Sequence, residues 1–123
     1  MTDLQCPATI VLIPSASLGS SACRHTLEHR RLSGLYVADA DVVDHASLAA
    51  IANDLDMQRV ETGSDREAFK HTLDSLADQY RGETIALVAS GEVLRLGLGL
   101  DVPLEEPLVL SVDSSGWAFV PSR

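Results

Sequence analysis

The segment Thr84–Ala89, Thr-Ile-Ala-Leu-Val-Ala, constrains this chain more than any other. It carries no charge and has no polar face to turn towards water. A run this short and this apolar reads as a strand covered on both sides, the habit of a parallel sheet. Residues 9–13, Thr-Ile-Val-Leu-Ile closed by Pro14, repeat the pattern, and 35–38 form a shorter version. Helical spacing fills the intervals. Leu18, Ala22, Leu27 and Leu32 follow the turn 15–21 and predict a first helix ended by Gly34. A second helix is expected over 44–55, with Ala46, Ala49, Ala50 and Leu55 inward, and 57–61 reads as a strand or a connector. Ser64 with Glu67 three residues on has the form of a capping box, and Phe69, Leu73, Leu76, Ala77 and Tyr80 give the next helix its apolar stripe up to Gly82. Ser90-Gly91 turns the 84–89 strand into a short helix through Val93, Leu94 and Leu98. Two strand-like runs, 108–112 and 117–120, close the chain around the hairpin turn Asp113-Ser114-Ser115-Gly116. Strand and helix therefore alternate, and the expected fold is α/β: a three-layer sandwich with a mainly parallel sheet, helices on both faces and a C-terminal antiparallel hairpin, all in a single domain over 1–123.

Charge narrows the partners. Eighteen acidic residues against nine basic ones leave a net charge of −9, which repels phosphate backbones and anionic lipid, so nucleic acid and membrane are not expected partners. The longest clean apolar run, 85–89, is far below the ~20 residues of a membrane helix. The N-terminal stretch lacks the positive region of a signal peptide, and Cys6 and Cys23 do not form a disulfide framework, so a reducing cytoplasm is the expected location. Eight arginines beside the single Lys70, in an Ala-, Leu- and Val-rich chain, suggest GC-rich coding and a bacterial source.

In open α/β sheets ligands bind outside the carboxyl ends of the strands, where helix N-termini gather. Two such ends stand out: residue 13 running into Pro14-Ser15-Ala16-Ser17, and Ala89 running into Ser90-Gly91-Glu92. Here the stretch GETIALVASGEVLRLGLGLDVPLEEPLVLSVDSSGWAFV resembles the C-terminal third of the histidine phosphatase (phosphoglycerate mutase-like) superfamily. In that family a buried strand runs into Ser-His-Gly, then a leucine-rich helix, a short connector and a closing strand pair. TIVLI, the helix ending RRLSG, and LYVADADVVDHASLAAIA resemble its opening strand, first helix, and the strand leading into its second helix. The departures carry the functional expectation. The family's Arg-His-Gly, whose histidine takes the phosphoryl group, matches Pro14, Ser15 and Ala16. Its second catalytic histidine falls on Ser90, and its phosphate-clamping arginine on or near Val42. The usual lid-bearing insertion has no room between Leu55 and Ser64. A phosphohistidine mechanism needs an imidazole nucleophile and cations for the phosphoryl oxygens, and a serine nucleophile needs an adjacent base. Neither local sequence supplies one. The resemblance thus implies a shortened member without catalytic residues or cofactor. Its vestigial pocket, formed by Ser15, Ser17, Ser90, Gly91 and Glu92, would serve a small ligand or a protein partner. A plainer role for these serines is helix capping.

A competing motif is His25-Thr26-Leu27-Glu28-His29, an HxxEH sequence of the kind inverzincin metallopeptidases use to bind zinc. The alternative reading is a hydrolase, either a residual phosphatase with rearranged groups or a zinc enzyme in which His25, His29 and Glu106 hold the metal and Glu28 is the base. Glu28, Arg30 and Arg31 also fit a solvated helix face. His45 beside Asp44, and the acids Asp39, Asp41 and Asp44, read as capping and solvation. Gly97 and Gly99 resemble part of a dinucleotide loop, but they follow a helix where that loop must follow a strand. Trp117 reads as an edge or interface aromatic. Loss of the insertion leaves apolar sheet surface to cover, so a homodimer is expected.

Overall fold

The computed structural model describes residues 7–17, 21–27, 31–38, 57–60, 65–102, 104–113 and 116–120. These form a mixed α/β fold: strands β1 (Ala8–Pro14), β2 (Gly34–Ala38), β3 (Met57–Val60), β4 (Thr84–Ala89), β5 (Leu108–Asp113) and β6 (Gly116–Val120), with helices α1 (Ser21–Leu27), α2 (Arg66–Gln79) and α3 (Gly91–Leu98). The sheet runs β3-β2-β4-β1-β5-β6. The first four strands in that order are mutually parallel; β5 pairs antiparallel with β1, and β6 antiparallel with β5.

Both faces of the central strands are covered, which is why their sequences are apolar throughout. Successive strand residues point to opposite faces, and two clusters result. Ile10 and Leu12 of β1, Tyr36 and Ala38 of β2, Ile85, Leu87 and Ala89 of β4, and Leu110 of β5 pack with Phe69, Leu73, Leu76 and Ala77 of α2 and Leu94 of α3. On the other face Val11, Ile13, Leu35, Val37, Ala86, Val88 and Val109 pack with Cys23 of α1, Leu32 and Leu27. The expected mainly parallel sheet and the closing antiparallel hairpin are both present. The hairpin turns between the paired Asp113 and Gly116.

Several expectations shift. The stretch 57–61, left open between strand and connector, contributes the edge strand β3. The N-cap of α2 is Asp65, not Ser64. The Asp65 backbone is extended, and its carboxylate accepts a 2.8 Å hydrogen bond from the Ala68 N–H. A carboxylate also meets the positive end of the helix dipole, which a hydroxyl cannot do. Glu67 accordingly lies in the first turn rather than closing a box with Ser64. Gly34 does not end the first helix; it opens β2, and Leu32 lies beyond α1 in irregular chain. A Cβ at 34 would stand 2.9 Å from the Tyr80 hydroxyl, so a larger residue there has to displace the Tyr80 side chain. The helix expected over 44–55 lies outside the described residues, as do Ser64 and residues 18–20 and 28–30 on either side of α1.

The glycines of Arg-Leu-Gly-Leu-Gly-Leu are explained by helix packing. Gly97 is buried in α3 against the Phe69 ring of α2, where a Cβ would come within 2.3 Å of the ring carbon Cγ. Gly99 is the left-handed C-cap of α3, and the Arg66 guanidinium of α2 lies beside it, a cation at the negative end of the helix dipole. At the far edge, the Trp117 indole N–H donates to Asp74 Oδ1 at 3.1 Å. Asp74 Oδ2 in turn receives Lys70 Nζ at 3.0 Å, so β6 is tied to α2.

Gly97→Ala tests the helix contact. Alanine gains about 1 kcal/mol of helix propensity, but overpacking a tight core costs about 1–3 kcal/mol, and an overlap this deep places the cost at the upper end. The variant is expected to melt several degrees lower. Combining it with Phe69→Leu should cost less than the sum of the two single changes, measured by thermal unfolding in a double-mutant cycle. Strict additivity would show that the ring and the glycine do not meet.

Candidate functional site

The carboxyl edge of the parallel strands is fixed by register. Pro14 at the end of β1 lies opposite Ala89 at the end of β4, so Ser15 and Ser90, a residue beyond each, leave the sheet from neighbouring strands about 4.8 Å apart. Val37 of β2 is level with Val88, which brings the end of β2 to the same edge. The two serine turns expected to form a pocket are therefore brought together by the sheet.

Each turn closes on itself. Residues Ser15–Ser17 form one 3-10 turn in which the buried Ser17 hydroxyl donates to the Pro14 carbonyl at 2.8 Å. Ser15 is half-buried and Ala16 exposed. Ser90 is the N-cap of α3: its Oγ accepts from the Val93 N–H at 3.1 Å, and its carbonyl accepts from the Leu94 N–H at 3.0 Å. The Leu104 N–H donates to the Gly91 carbonyl at 3.3 Å, fastening the connector before β5 over the start of α3. The amides of Gly91 and Glu92 are the ones no carbonyl within the helix can reach. Glu92 is exposed and grips Arg95 one turn on, with Arg95 Nε at 3.0 Å from Oε1 and the second guanidinium nitrogen on Oε2. That hydrogen-bonded pairing holds the Glu92 carboxyl below its ordinary range.

Sequence reasoning missed one cation. Arg59 of β3 turns Nη1 back towards the Ala38 carbonyl, at 3.5 Å, so a guanidinium lies at the carboxyl end of β2, one strand removed from β4. A single arginine in an ambiguous four-residue strand gives no signal in sequence; only the pairing of β3 with β2 reveals its place. The described histidines, His25 and His71, are exposed on α1 and α2. Glu106 is exposed in the connector between α3 and β5, while Glu28, His29, His45, Val42 and the acids at 39, 41 and 44 lie outside the described residues. Among the described residues no three His, Cys, Asp or Glu side chains are grouped to hold a metal ion, and no buried side-chain nitrogen or oxygen lacks a hydrogen-bond partner. Cys23 is a fully buried free thiol in α1.

Among the described residues the largest electrostatic perturbation lies away from this edge. The Tyr36 and Tyr80 hydroxyls are 2.8 Å apart and their rings meet edge to face. Burial first, and the bond to Tyr80 second, push the Tyr36 phenol from its ordinary 10.0 up to about 12.

Two predictions follow from these contacts. Ser90→Ala should cost about 1 kcal/mol through the lost cap, seen as a drop of a few degrees in Tm, whereas Ser90→Asp, which caps equally well, should hold stability. Equal losses in both variants would remove the capping role. For Tyr36, the neutral phenol is favoured by the fold, so its stabilising contribution is complete below pH 10. It is lost as pH rises from there through about 12, because the unfolded chain ionises first. Urea unfolding in that window should fall less steeply with pH in Tyr36→Phe than in the parent, and phenolate absorbance should show one of the two tyrosines titrating late. Two ordinary titrations would contradict the buried pair.

In comparisons with known proteins, no family model, no curated protein and no solved structure matches this chain.

Proposed function

We propose that the chain is a non-catalytic binding protein on a shortened, three-layer, histidine-phosphatase-like scaffold, with the carboxyl edge of β1 and β4 as its ligand-facing end. The observation that carries this reading is the register Pro14 to Ala89. The two positions where the resemblance expects catalytic histidines leave adjacent strands side by side, as a paired active site requires, and both are serines. The clusters on either face of the sheet support the layering.

The chemistry of phosphoryl transfer is absent from these turns. Neither serine turn contains an imidazole, and the Ser90 hydroxyl is engaged as an acceptor from the Val93 amide, which draws electron density away from the oxygen a nucleophile must use. Ser17 donates its proton to a backbone carbonyl, which cannot act as a base. What is left is recognition: the Gly91 and Glu92 amides at the start of α3, and the Arg59 guanidinium at the end of β2. Glu92 at the rim opposes strongly anionic ligands, so phosphate should bind poorly and a neutral or weakly anionic small molecule better.

The test combines turnover with binding. No hydrolysis of an aryl phosphate above background is expected, nor a saturable thermal shift with phosphate, vanadate or Zn²⁺. A ligand at a hundred times its Kd stabilises by about 2.7 kcal/mol, several degrees in a domain of this size, so binding would be plain. Turnover lost in Ser90→Ala would overturn the reading in favour of a phosphatase. A Zn²⁺ shift lost in His25→Ala would replace it with the zinc hydrolase.

A further inference from the structure

We draw no further inference here: the strongest candidate, the amides at the start of α3 together with the Arg59 guanidinium at the carboxyl end of β2, belongs to the site already described, and no buried polar side chain among the described residues is left unpartnered to point to a ligand there.

Discussion

Everything in this fold hangs on the parallel pairing of β1 with β4. Six consecutive register pairs run from Thr9 opposite Thr84 to Pro14 opposite Ala89, and the inner residues of both strands are fully buried. Two adjacent strands with no side open to water need cover above and below, which α1 supplies on one face and α2 with α3 on the other. They also need lateral neighbours to take up their backbone groups, supplied by β2 beyond β4 and by β5 beyond β1. Parallel strands cannot be joined by a tight turn. The chain between β1 and β4 is consequently spent on crossovers, and the hairpin can come only after the core is closed.

The same pairing decides where chemistry would take place. A parallel pair sends both strands out of the sheet at one end, and there the chain must change direction while its last carbonyls and the first amides of the next element find partners. Serine does this locally and cheaply: Ser17 satisfies a strand carbonyl and Ser90 satisfies a helix amide. A histidine at position 90 would leave that cap to be made some other way. The turns seen here are settled for stability, and all the buried polar side-chain atoms among the described residues are likewise partnered.

The layout was legible because burial leaves a signature in composition. TIALVA and TIVLI could be read as two-sided strands since the residues after each threonine are uniformly apolar, and the spacing of Phe69, Leu73, Leu76 and Ala77 set the inner face of α2. The Ser90 cap was legible for the same local reason, a serine directly before a helical pattern. What the sequence hid depends on partners distant in the chain. Gly34 resembled a helix stop, and only the pairing of β2 with β4, Gly34 opposite Ile85, reveals it as a strand residue, with the Tyr80 hydroxyl close against it. Gly97 and Gly99 resembled a loop fragment until Phe69 and Arg66 were seen to occupy the space beside them. At α2 the choice between Ser64 and Asp65 turned on one residue of phase, which periodicity does not resolve.

Arg59 shows the limit most clearly for the site. Its position in sequence is uninformative, since a four-residue strand of mixed character could lie anywhere. Once β3 pairs with β2 at Ala38 opposite Val60, the preceding Arg59 must stand near the carboxyl edge, where its long side chain folds back onto the Ala38 carbonyl. The cation at this end of the sheet thus comes from the edge strand rather than from the crossover helix where the resemblance looks for one. It approaches from beyond β2, while the serine turns leave from β4 and β1. A ligand using both would have to lie across the strand ends rather than at the head of a single helix.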